Sequence, residues 1–139
     1  MFLFILLSAN IAFSQQNTPK SCVTEFFEAF HNQDTTALRN LFYEKATIQT
    51  VSAKNSPAIV KEETIDDLIR GVASIPAEID FKERLKRINM RSNGEIAQVW
   101  IPYEFLVDGK FSHSGVNSFV LVNVDASWKI IHLIDTRRN

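Results

Sequence analysis

The run "AQVWIPYEFLVDGKFSHSGVNSFVLVNVDASWKIIHLIDTRR", residues 97–138, decides the fold. Apolar and polar side chains alternate along most of it, the period-two pattern of strands with one buried face. Asp108-Gly109 is a pair that tolerates positive φ and therefore reads as a tight hairpin turn. "DAS", residues 125–127, reads as a second loop, of three residues. The expected strands are 96–107, 111–124 and 128–136. A further strand over 79–90 precedes the Asn93-Gly94 turn. Four long strands joined by short turns make an antiparallel meander.

Upstream the period changes. In "SCVTEFFEAFHNQ", Val23, Phe26, Phe27 and Phe30 recur at i, i+3, i+4 and i+7, which lays an aromatic stripe along one side of a helix. Pro19 and Ser21 suit its start. Asp34 is placed to cap a short second helix, "TTALRNLF", with Leu38, Leu41 and Phe42 inward. "ATIQTV" is β-branched and reads as a first strand, and Ile65, Leu68, Ile69 and Val72 define a third helix ended by "SIP". Helices first and a meander last give an α+β domain, its helices packed on one face of a curved, mostly antiparallel sheet.

Composition narrows the function. Fifteen basic residues against sixteen acidic ones leave a net charge of −1 with no basic stripe, so nucleic acid is not an expected partner. Eleven Phe beside two Tyr and two Trp favour a dry aromatic interior. The leading "MFLFILLSANIAFSQQ" is apolar and then abruptly polar. Its apolar part falls short of the roughly twenty residues that span a bilayer. Ala12 and Ser14 are small residues spaced for signal-peptidase cleavage before Gln15. The expectation is an export signal over 1–14 and a single domain over 15–139, periplasmic or secreted, without stable membrane insertion after cleavage. Cys22, being alone, makes no intramolecular disulfide and reads as a small apolar residue of the first helix.

The segments "VTEFFEAFHNQDTTALRNLFYEKATI" and "AQVWIPYEFLVDGKFSHSGVNSFVLVNVDASWKIIHLIDTRR" resemble the nuclear transport factor 2-like superfamily, and within it the exported SnoaL-like proteins. The resemblance implies a cone-shaped α+β barrel, open at one end to a pocket, and often a homodimer through the sheet. Members include ketosteroid isomerases, dehydratases, epoxide hydrolases and polyketide cyclases, beside many that only bind or scaffold, so the fold alone selects no reaction.

The turns set a register. A two-residue Asp108-Gly109 loop opposes Val107 to Lys110, hence Glu104 to His113, Pro102 to Gly115 and Trp100 to Asn117. The "DAS" loop then sets Asn117 opposite Asp135. Trp100, Glu104, His113, Asn117 and Asp135 fall on one face. Val99, Ile101, Val120, Val122, Trp128, Ile130 and Ile134 fall on the other, where the helices pack. Pro102 within an inner strand, opposite Gly115, suggests a β-bulge that returns Glu104 and His113 to the concave side and leaves Trp100, Asn117 and Asp135 outside.

The leading expectation is a binder of a small, largely apolar ligand, with Tyr103, Glu104 and His113 at the pocket mouth and Trp100, Asn117 and Asp135 as further candidates. As an isomerase, dehydratase or cyclase it would use His113 as acid–base group, oriented by Glu104. The alternative is a non-catalytic dimeric accessory module. His132 reads as a core or interface histidine, and His31, ending the first helix, as a charge that suits the dipole. Ser112 and Ser114, as strand neighbours of His113, point away from it. No metal site or cofactor is expected: the three histidines are scattered and no glycine-rich phosphate loop exists. Glu62-Glu63 and Asp66-Asp67 read as solvated acids around the start of the third helix.

Overall fold

A computed structural model describes residues 17–54 and 57–139. The expected export signal, residues 1–14, lies outside the described residues. The elements follow in order: helices α1 (Pro19–His31) and α2 (Thr35–Asn40), strands β1 (Phe42–Ser52) and β2 (Ile59–Glu63), helix α3 (Ile65–Ala73), then strands β3 (Phe81–Leu85), β4 (Asn89–Ser92), β5 (Ile96–Val107), β6 (Lys110–Val124) and β7 (Ser127–Arg137). One sheet of order β2-β1-β7-β6-β5-β3, with β4 also pairing β5, carries the helices on its concave side. All pairings are antiparallel except β1 with β7. The α+β expectation holds.

Local chemistry explains the helix boundaries. Thr18 and Ser21 form a reciprocal capping box around Pro19, which needs no hydrogen bond at the first helical position. Asp34 Oδ1 accepts from Ala37 N at 3.0 Å and starts α2, as expected. Thr64 and Asp67 cap α3 in the same reciprocal way, so Asp67 serves the helix start while Glu63 closes β2. Three expectations are corrected. Phe42 begins β1 instead of ending α2. β2 was not foreseen. The 79–90 strand is broken into β3 and β4, which pair with successive parts of β5.

The aromatic interior is real. Phe26 is its hub, with ring centroids 5.1 Å from Phe27, 6.0 Å from Phe42 and 5.3 Å from Phe119, all edge-on. Val23, Leu38, Val99, Ile101, Leu121 and Ile130 complete a core with essentially no exposed surface.

Bulges decide which side chains see this core. The Asp108-Gly109 turn is as expected, with both φ positive and Val107 opposite Lys110. One residue later the β5–β6 ladder slips: Leu106 pairs Phe111 but Phe105 pairs His113, so Ser112 is the extra residue. The bulge is therefore at Ser112 and not at Pro102, which opposes Val116 in a continuous ladder. The β6–β7 loop has two residues, Asp125 and Ala126, instead of three, and Ile131 is extra on β7. These two one-residue differences cancel, and Asn117 stands opposite Asp135 as expected.

Gly115 has a different purpose from the one expected. A Cβ built on it would lie 1.8 Å from Thr136 O and 3.0 Å from Tyr103 Cε1. It lets the Thr136 carbonyl turn inward to accept the Tyr103 hydroxyl at 2.7 Å, while the Thr136 hydroxyl accepts from Val116 N at 3.0 Å.

Candidate functional site

The concave face of the sheet and the underside of α1 and α3 enclose a cavity of about 380 Å³, within the range of small-molecule sites. Its apolar wall comes from Phe26 and Phe30 of α1, Leu68 and Val72 of α3, and Ile48 and Leu133 of the sheet. Facing it is a polar wall. Glu83 projects from β3, Tyr103 from β5, His113 and Asn117 from β6, Asp135 from β7 and Thr50 from β1.

Of the residues singled out from sequence, the structure brings Tyr103, His113, Asn117 and Asp135 into this cavity. Trp100 and Glu104 are not among them. With the ladder unbroken from Phe105 to Ile96, even-numbered residues of β5 face outward. Trp100 is 52% exposed on the convex face. Glu104 is opposite Arg84 and is ion-paired to Arg84 and, at 3.1 Å, to Lys86. Hydrogen bonds from both cations hold its carboxyl below the usual glutamate range. The Glu104–His113 pairing is replaced by Phe105–His113, and Asn117 and Asp135 are inside instead of outside, all consequences of moving one bulge.

His113 lies flat on Phe105, centroids 4.8 Å apart, and edge-on to Tyr103 at 5.9 Å. Desolvation, with Arg137 and Lys54 adding against the opposing pull of Asp135, lowers its pKa, so the imidazole is neutral at pH 7. Contrary to the strand-neighbour expectation, its Nδ1 is 3.1 Å from Ser112 Oγ, because the bulged Ser112 no longer alternates. Its Nε2 has no hydrogen-bond partner among the described residues.

The residue that sequence reading missed is Glu83. Asn117 Nδ2 donates to Glu83 Oε1 at 3.1 Å. Burial among aromatic side chains outweighs that bond and, with Asp135 adding, pushes the Glu83 carboxyl up to about 7. Its backbone N–H donates to His31 Nε2 at 3.0 Å. That bond requires an imidazole nitrogen with a free lone pair, and desolvation lowers the pKa of His31, so His31 is neutral and fixes Glu83 instead of charging the helix end. The only sequence signal for Glu83 was strand alternation in "DFKERL", which the unbroken 79–90 strand obscured.

Asp135 accepts from Thr50 Oγ1 at 2.5 Å and Arg137 Nε at 3.4 Å, and Tyr103 OH, whose proton points to Thr136 O, also lies 3.4 Å away. Burial, Asp135 and Glu83 raise the Tyr103 phenol, which stays protonated. The site therefore sets two carboxyl groups of unlike environment beside a neutral imidazole and a neutral phenol. Cys22 is buried against Trp128 and pushed up to about 12, an unreactive thiol. His132 is on the convex face, its Nε2 3.0 Å from Gln49 Oε1. No group of three or more His, Cys, Asp or Glu among the described residues is arranged to hold a metal. No described helix is long and apolar enough to cross a membrane.

A curved sheet closed by helices over a pocket, with an apolar wall drawn from α1, α3 and the sheet and a polar wall drawn from the strands, defines a cone-shaped α+β domain built around a small-molecule-sized cavity. The SnoaL-like domain model matches residues 20–134, and the chain belongs to that family. Among solved structures, it is similar to an NTF2-like protein from Cytophaga hutchinsonii, with 16% identity, TM-score 0.70, and 89% of this chain and 98% of that one covered. It is also similar to a proposed dehydratase of the NTF2-like family from Streptomyces avermitilis, with 17% identity, TM-score 0.65 and coverage of 86% and 93%. A ketosteroid isomerase-like protein from Erwinia carotovora atroseptica aligns at 15% identity and TM-score 0.61 over 91% and 98%. These likenesses establish the fold. No curated protein matches the chain in sequence.

Proposed function

We propose that the protein takes a small, largely apolar molecule into the cone and exchanges a proton with its one polar group. The observation that carries this reading is Glu83: a carboxyl with a pKa of about 7, buried in a cavity whose other wall is aliphatic and aromatic. A group poised near ambient pH is present in both protonation states and so serves as either general acid or general base. Asp135, accepting from the Thr50 hydroxyl at 2.5 Å, is the second carboxyl of the cavity. His113, neutral and free at Nε2, is the second candidate for proton transfer, the role expected from sequence, now without Glu104 as its partner. Isomerisation or dehydration needs a proton removed at one atom and delivered at another. That chemistry agrees with the dehydratase and isomerase-like descriptions of two structural neighbours. The apolar leader supports an exported site of action, which N-terminal sequencing of the mature protein from its native host checks directly.

The test is a ligand search by native mass spectrometry and thermal shift, followed by turnover assays on the hits. Glu83→Gln is expected to keep the binding and lose on the order of a hundredfold or more in turnover. A Glu83→Gln variant that turns over like the wild type ends the acid–base reading. If no ligand survives purification or screening and the cavity is found filled by side chains, the binding reading ends with it.

A further inference from the structure

The cavity does not end at His113. Thr50, His113 and Arg137 also line an outer cleft of about 480 Å³ that continues from the polar wall toward solvent between β1, β2 and the end of β7. The residues added there are Ser52, Lys54, Ile59, Lys61, Ser112 and Asn139. The charged side chains that line it are all basic. Lys61 is neutralised by Glu63 at 2.9 Å, and Arg137 touches Asp135 through Nε at 3.4 Å, its remaining guanidinium N–H groups making no ion pair among the described residues. Lys54 makes no ion pair or hydrogen bond among the described residues, Asn139 of the same cleft included. Arg137 and, more weakly, Lys54 depress the basicity of His113 while Asp135 on the cone side opposes them, so both cations are felt by the imidazole at the junction of cleft and cone. Basic side chains thus gather where an occupant of the cone would emerge.

We propose that this mouth is an oxyanion subsite, in which Lys54 and Arg137 receive the carboxylate, sulfonate or phosphate head of a ligand whose apolar body lies in the cone. Arg137 offers its planar fork, Lys54 a mobile point charge, and Ser112 a neutral donor beside them. The ligand is then an amphipathic anion. This inference rests on the cone-binding reading and names the class of molecule that reading left open.

Two dyes with the same aromatic body separate the possibilities: anilinonaphthalene sulfonate, which carries the anion, and N-phenylnaphthylamine, which lacks it. Gly71 lines the cone, and a Cβ added there meets no atom within 4 Å, so Gly71→Trp starts without a clash at its Cβ and is expected to narrow the cavity. Fluorescence titration is expected to show the sulfonate binding about tenfold more tightly than the neutral dye, an ion-pair's worth of preference. Lys54→Glu should abolish that preference while leaving the neutral dye's affinity unchanged, and high salt should act as Lys54→Glu does. Equal binding of both dyes to the wild type, or a preference that survives Lys54→Glu, overturns the oxyanion subsite and leaves the cone reading standing. Neutral-dye binding that persists in Gly71→Trp shows that the dye is not in the cone, and overturns both.

Discussion

Glu83 and Glu104 lie on neighbouring strands, on opposite faces of one sheet. Glu83 opposes Phe105 in the β3–β5 ladder, and its chain neighbour Arg84 opposes Glu104. The first carboxyl turns inward, loses its water and rises to about 7. The second turns outward, keeps its water, and is pulled down by Arg84 and Lys86. Identical chemistry is thus made reactive or inert by which side of a pleat it occupies. The same division sorts the histidines: His113 faces the cavity, stacked on Phe105, while His132 faces outward to Gln49.

The strongest way to break the contrast is to disturb the inner face where it is tightest. Gly115→Ala places a methyl against the Thr136 carbonyl that Tyr103 holds. It is expected to cost about 3 kcal/mol or more, a fall in Tm on the order of 10 °C by calorimetry.

A second variant sharpens the contrast by titration. A carboxyl whose folded pKa is above its unfolded value stays protonated longer in the folded state, so its cost appears as the unfolded chain ionises first. Stability should therefore fall as pH rises from about 4.5 toward 7. Glu83→Gln should remove that slope. The variant is expected to be more stable than the wild type at pH 8, by up to about 3 kcal/mol, and nearly equal to it at pH 4, in chemical denaturation followed across pH. Glu104→Gln is the outward control. Its effect on Tm should be the smallest of the three, should shrink further in high salt, and should leave the slope between pH 4.5 and 7 in place, since exposed ion pairs are screened.

The elements were legible because they follow from local rules. The Phe26, Phe27 and Phe30 stripe, the Asp34 cap and the Asp108-Gly109 turn each involve residues a few positions apart, and each is where the spacing predicts it. The cavity residues were legible only in part. Tyr103, His113, Asn117 and Asp135 were candidates, yet Asn117 and Asp135 were expected outside, and Trp100 and Glu104 turned out to be on the convex face. Pro102 and Gly115 drew attention as marks of a bulge, but the structure uses Gly115 for the close approach of Thr136 and puts the bulge at Ser112. Nothing in "FSHSG" distinguishes the bulged serine from a paired one.

The sequence by itself determined the α+β class, the three helices, the closing β5–β6–β7 meander, the turn at Asp108-Gly109 and the aromatic filling of the core. Periodicity, capping and positive φ are properties of neighbours along the chain. Only the tertiary structure decided that Glu83 faces inward, that Glu104 does not, and that His113 lies between a dry cone and a cationic mouth. Facing is set by register, register by the placement of single extra residues, and a one-residue slip reverses every side chain beyond it.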